Sequence, residues 1–200
     1  MFESAAIGHD FTPGVENYLA ELKVVIDTVD IDQITVVMHR LLAAYERGAS
    51  VYIFGNGGSA STASHLVKDF NSGVNERLVR KFRFYCLNDN VATVLAVAND
   101  ISYDEVFALQ LRNYLRPSDI VIAISGSGNS TNVLNAVRLA NAKGVETVGL
   151  VGFDGGELAR TVDSCIHVPV HDMQKVEDLH FVINHVMVAL LKEHLEYWAR

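Results

Sequence analysis

Residues 51–70 read VYIFGNGGSASTASHLVKDF. Val51 to Phe54 is a short apolar run of β-branched and aromatic residues stopped by Gly55, the mark of a buried strand. Gly55, Gly57 and Gly58 let the chain turn sharply and approach a ligand closely. The spacing predicts a helix from Ser59 to about Asn71, with Ser59 or Ser61 as its capping hydroxyl and Asn71-Ser72-Gly73 as its stop. His65 and Asp69 stand four apart on that helix and share a face. Strand, glycine turn and a helix bearing an imidazole and a carboxylate make a place for an anionic or sugar-like ligand beside a proton-transfer or metal site.

Upstream, residues 1–13 read as a polar lead-in ending at Pro13, followed by two amphipathic helices, the second capped by Asp30 and ending near Gly48. Two helices ahead of the first strand are more than a small sheet needs, and the first is expected to pack on another subunit. Downstream, apolar runs at 82–87, 119–124, 145–151 and 165–168 read as strands. Helices are expected at 91–98, 103–115, 131–143, just after Gly156, and from 174 or 175 to about 197. Strands alternate with helices over short connections. That pattern predicts one α/β domain, a parallel sheet of about five strands covered on both faces, with ligands at the carboxyl ends of its strands.

Composition narrows the classes. Half the residues are hydrophobic and a fifth are charged, which excludes a disordered chain. A formal charge of −8 argues against nucleic acid as partner, and no apolar stretch reaches the ~20 residues of a membrane span. Cys86 and Cys165 sit in apolar runs as small core residues, and no apolar leader is visible. A cytoplasmic protein is expected.

A second loop, Ser125-Gly126-Ser127-Gly128-Asn129-Ser130, follows a buried strand and opens a helix. Helix N-termini offer unpaired N–H groups and a positive dipole end, and three hydroxyls add donors. The loop lacks the lysine of a nucleotide P-loop, and Thr131 stands where a dinucleotide fingerprint has its third glycine. A single phosphoryl group suits it better than a nucleotide; as an ordinary turn it would need no such context.

GNGGSASTASH at 55–65, AND at 98–100, SGSGNS at 125–130 and VEDLHFVINH at 176–185 resemble the sugar isomerase (SIS) domain family, and within it the phosphoheptose isomerases, over nearly the whole chain. The resemblance implies a three-layer α/β/α sandwich with a five-stranded parallel sheet, residues 1–48 serving oligomerisation and 49–200 forming the α/β core. It implies a homotetramer converting sedoheptulose 7-phosphate to D-glycero-D-manno-heptose 7-phosphate. Substrate contacts then fall on Asn56, Gly57, Gly58, Ser59, Asn99, Asp100, Ser125, Gly126, Ser127, Ser130 and Glu177. The zinc set implied is His65, Asp69, Glu177 and His185. Asp69 and Glu177 replace the family's Glu and Gln, Gly126 its Thr, and Gly73 a basic residue.

Aldose–ketose isomerisation moves a proton between two carbons and shuttles others between two oxygens. Asp69, or failing it Glu177, is the expected base and His185 the second acid/base, with a metal to polarise the carbonyl. Spacing constrains the set. Glu177 and His185 are eight apart, ~12 Å of rise and about 80° around one straight helix. His180, three from Glu177, is therefore a rival ligand on spacing, while the resemblance favours His185. Rival functions are an isomerase of another sugar phosphate and a non-catalytic SIS protein-binding module of the replication-initiator-associating type. No helix-turn-helix segment suggests a transcription regulator.

Overall fold

A computed structural model describes residues 10–198, so most of the expected lead-in at 1–13 lies outside the described residues. Two helices come first, α1 (Thr12–Asp27) and α2 (Ile31–Glu46). Pro13 sits in the first turn of α1, where a missing N–H is harmless. Asp30 caps α2 as expected, its carboxylate accepting from the amides of Asp32 and Gln33 at 2.9 and 3.4 Å.

Among the described residues five strands form one parallel sheet: β1 (Ser50–Gly55), β2 (Arg83–Cys86), β3 (Ile120–Ser125), β4 (Glu146–Val151) and β5 (Ser164–His167). Their spatial order is β2-β1-β3-β4-β5. The winding reverses between β1 and β3, paired from Val51 opposite Ile120 to Gly55 opposite Ile124. A crevice opens at such a reversal, beyond the carboxyl ends of the two strands. The two glycine loops named above begin there.

Side-chain alternation along each strand feeds two cores. Val51, Ile53, Ile120, Ile122, Ile124 and Leu150 pack with α2, with α3 (Gly58–Lys68) and with α8 (Met173–Trp198). Tyr52, Phe54, Val121 and Ala123 face the other way, toward α4 (Val91–Asp100), α5 (Ala108–Tyr114) and α6 (Thr131–Ala142). A short α7 (Leu158–Thr161) precedes β5. Both faces are covered, which is why β1 and β3 read as unbroken apolar runs. The expected α/β/α layering is present. Among the described residues no helix is long and apolar enough to cross a membrane. Cys86 and Cys165 are free and half-buried, and burial pushes their thiols up to about 12 and about 11.

Three local expectations need correction. The residue before α3 is Gly57, at φ 54°, and no side chain caps the helix there; Ser59 lies inside its first turn, buried, and Ser61 inside the helix. The helical path does not stop at Asn71-Ser72-Gly73: it widens into a π turn over Asp69–Gly73 and tightens to a 3₁₀ turn over Val74–Arg77. The span 103–115 is two pieces, a 3₁₀ turn at Tyr103–Glu105 and then α5. Tertiary contacts override the helical pattern here. Val106 and Phe107 are both buried, Phe107 stacks on Phe54 at 4.7 Å, and Asn135 of α6 donates to the Asp104 carbonyl at 3.3 Å.

Candidate active site

The loop after β1 and the loop after β3 face each other across the crevice. Asn56, Gly57, Gly58, Ser59, Ser125, Gly126, Ser127, Ser130 and Glu177, with Ile124 and Met173, line a cavity of about 220 Å³. No lysine or arginine is in that lining. Its donors are therefore neutral: hydroxyls, the Asn56 amide and backbone N–H groups at the start of α6, a cradle for one small anion. The loop is held from behind. Gly152 N–H donates to the Gly126 carbonyl and Leu158 N–H to that of Gly128, each at 2.8 Å. Ser125 and Ser130 hydroxyls pair at 3.3 Å, and Ser130 does not cap α6 with its own side chain.

Beside the cradle, α3 and α8 bring together His65, Asp69 and His185, whose ligand atoms lie within 4.8 Å of one another. His65 Nε2 is 3.0 Å from both His185 Nε2 and Asp69 Oδ2, and His185 Nε2 is 3.6 Å from that same oxygen. Asp69 Oδ2 is buried yet accepts no well-directed hydrogen bond among the described residues. Two imidazole nitrogens and an orphaned carboxylate oxygen converging this way fit a divalent cation. Ligands at 2.0–2.1 Å on a tetrahedral ion stand about 3.3 Å apart. The other oxygen, Oδ1, accepts from Lys68 Nζ at 2.7 Å. Phe181 packs against both imidazoles, ring centroids 4.4 Å from His65 and 5.0 Å from His185.

Glu177 is not part of that converging group. Its carboxylate lies against Gly58, where an added Cβ would fall 2.2 Å from Oε2, so glycine is what lets the acid sit across the start of α3. Glu177 and His185 both lie on α8, and eight residues of helix separate them as the spacing required. Glu177 also lines a second cavity of about 630 Å³, with Tyr18, Leu19 and Leu22 of α1, Phe181 and His185. Asn99 and Asp100 end α4, exposed and outside the cradle lining; Asn99 donates to Asp100 at 2.7 Å. His180, the rival ligand on spacing, is fully buried and bonds the Val151 carbonyl through Nε2 at 3.1 Å. It is an anchor for α8, and burial lowers its pKa to about 4.

Several participants had no signal in the sequence. Lys68 is adjacent to Asp69 in the chain, a spacing that seldom brings helix side chains together. Lys175 is nearly buried beneath α1, paired with Asp172 and, at 3.0 Å, with Glu21, and lies 4.5 Å from the Tyr18 ring centre. Tyr18 in turn donates to Asp178 at 2.6 Å, which raises the phenol to about 12. These contacts fasten α1 over the larger cavity.

Comparisons with known proteins give the family. The SIS domain model matches residues 16–152. The phosphoheptose isomerase of Mycobacterium tuberculosis is 36% identical over 184 residues, 92% of this chain and 91% of that protein. The phosphoheptose isomerase of Rhodospirillum rubrum is 36% identical over 154 residues, 76% of this chain and 81% of that one. The solved phosphoheptose isomerase of Neisseria gonorrhoeae shares the fold at a TM-score of 0.85, with 24% identity, covering 92% of this chain and all of that one. With its switch-point cradle and its family match spanning most of the sequence, the chain belongs to the phosphoheptose isomerases of the SIS-domain family.

Proposed function

We propose that this chain isomerises sedoheptulose 7-phosphate to D-glycero-D-manno-heptose 7-phosphate through an enediol. The observation that carries the reading is the buried Asp69 Oδ2, 3.0 Å from His65 Nε2 and 3.6 Å from His185 Nε2, beside a hydroxyl-lined anion cradle. Ser125, Ser127 and Ser130 hold the phosphate. A proton leaves C1 of the ketose for the Asp69 carboxylate while O2 is protonated from His185. Return of that proton to C2, with loss of the O1 proton, gives the aldose. Lys68 on Oδ1 fixes the carboxylate's orientation and balances its charge. Glu177, which lines both cavities, is the alternative base. In a metal-loaded form His65 Nε2, Asp69 Oδ2 and His185 Nε2 would hold a zinc ion, and Glu177, which stands outside that group, would then serve as the base. The N/O donor set suits zinc, which would supply Lewis-acid polarisation of the carbonyl.

Isomerisation by metal-free and then zinc-loaded protein, over a panel of ketose phosphates, tests this. Turnover of the heptulose that rises with zinc supports the whole reading. Turnover of a different sugar alone keeps the mechanism and changes the substrate. Two features favour keeping that second reading in the panel: Met173 Sδ fills the space a Cβ on Gly126 would need, 2.5 Å away, and Glu177 adds a negative charge to the cradle. Silence on every sugar would favour a binding module.

The working form is a cytoplasmic homotetramer built on α1 and α8. Val15, Leu19 and Ile26 on α1, and Val182, Val186 and Leu190 on α8, remain exposed apolar residues in the single chain. Faces of that kind mark association surfaces.

A further inference from the structure

Asn56 follows β1 and projects into the crevice, and its amide is nearly spoken for. Its Nδ2 donates to Asn132 Oδ1 at 2.9 Å, and Asn132 Nδ2 donates back to Asn56 Oδ1 at 3.0 Å. Tyr103 adds its hydroxyl to the same Oδ1 at 2.9 Å. A primary amide has two N–H donors and two acceptor lone pairs. Both lone pairs and one N–H of Asn56 are used by these two residues, so one N–H is left for a ligand. Asn132 is itself oriented: it is buried on the first turn of α6, and its Oδ1 also accepts from Val133 N–H at 2.9 Å. The reciprocal pair therefore fixes which way round the Asn56 amide sits.

Resting on the isomerase reading, we infer that Asn132 and Tyr103 are positioning residues that present Asn56 to substrate as a single N–H donor, aimed at a substrate oxygen. The amide cannot accept from a sugar hydroxyl without breaking the lock. The oxygen it takes belongs to the end of the substrate seated in the cradle, since Asn56 shares that lining with Ser125, Ser127 and Ser130. Tyr103 links this lock to the chain after α4. It lies three residues beyond Asp100, on the 3₁₀ turn held to α6 through the Asp104 carbonyl. Tyr103 as a residue is more than half exposed, so its hydroxyl serves the lock and not the core.

Tyr103→Phe removes one hydroxyl from an exposed ring; Asn132→Asp keeps shape but cannot donate to Asn56 Oδ1 when ionised. For Tyr103→Phe we expect KM for the sugar phosphate to rise about threefold to tenfold with kcat little changed, as the Asn56 donor is less firmly aimed and one uniform binding hydrogen bond weakens. Asn132→Asp should raise KM further. Melting temperature and zinc affinity of Tyr103→Phe should match the wild type. Independently of any turnover, the Asn56 side-chain amide signals in a ¹⁵N-correlated NMR spectrum, assigned by their loss in Asn56→Asp, should move in both variants. Wild-type KM in both variants, or unmoved Asn56 amide signals, would overturn the lock. Wild-type protein inactive on every sugar would instead sink the isomerase reading, and the NMR arm alone would then decide the lock.

Discussion

At the residue scale, Asp69 is the side chain on which most depends. One oxygen is paired with Lys68 and the other is buried between His65 and His185. Asp69→Asn keeps the volume and removes both the proposed proton-accepting charge and a proposed metal ligand. Isomerisation should fall by at least about a hundredfold, the usual contribution of a placed general base. Retained zinc, measured after dialysis, should fall with it, while the far-ultraviolet circular dichroism spectrum stays unchanged. Wild-type turnover would remove Asp69 from the chemistry and leave Glu177 as the base. The His65–Asp69 pairing was legible in the sequence because it is a fixed geometric consequence of a helix. Lys68 was not, because its ion pair depends on a flexible side chain folding back on its own neighbour. His180 shows the same limit from the other side. Spacing alone offered it as a ligand, whereas burial makes it an anchor on the Val151 carbonyl. Its pKa falls from the ordinary imidazole value of 6.5 to about 4, chiefly through burial, with nearby His167 adding to the effect. Between these values the unfolded chain binds the extra proton and the folded chain does not, so stability rises with pH across that window. The stabilisation lost from this one group as pH drops from 7 to 4 is about 3 kcal/mol. Urea denaturation of wild type and His180→Asn at both pH values should show the difference between them shrinking by that order. A constant difference would mean His180 is not held neutral.

At the scale of elements, the strand–loop–helix units were readable because strand and helix periods differ and glycine punctuates them. What escaped was how neighbouring elements bend one another. The π turn over Asp69–Gly73 carries the buried Phe70, and the break at 103–107 accompanies the burial of Val106 and Phe107 together. The loop after β3 is likewise shaped by a partner remote in sequence. Gly128 has φ 67°, and a Cβ there would fall 2.1 Å from the Gly155 carbonyl oxygen and 3.0 Å from Gly156 Cα. Neither obstacle is a side chain able to rotate away. Gly128→Ala therefore meets a left-handed backbone penalty of about 1 kcal/mol as well as a backbone clash. A total of roughly 2–3 kcal/mol should lower the melting temperature by about 5–10 °C in a chain of this size. KM for the sugar phosphate should rise as well, because Ser127 and Ser130 flank the displaced residue. A melting temperature within a degree of wild type would show that the Gly128–Gly155 contact is looser than its geometry states.

At the scale of the whole molecule, sheet order is set by long-range pairing that no local pattern encodes, yet the alternation of strands and helices limited it to a few wound topologies. The same logic extends to what the fold leaves uncovered. In α8 the residues Leu179, Ile183 and Met187 are buried, while Val182, Val186 and Leu190, also four apart, are not. A helix apolar on two sides is built to be covered on two sides. The α1 residues Val15 and Leu19 are exposed as well, and Leu19 lines the larger cavity with His185 and Glu177. Assembly through these faces would thus also change what surrounds the site. Leu190→Asp places a charge on the α8 face without touching the core, so the chain should fold with an unchanged spectrum. Burying that carboxylate in an apolar interface without a partner costs several kcal/mol. Light scattering should then report a tetramer for wild type and a smaller species for Leu190→Asp. Turnover should fall in parallel if a second copy completes the larger cavity. An unchanged mass would exclude this face from the assembly, and a smaller species with full activity would mean each chain carries a complete site.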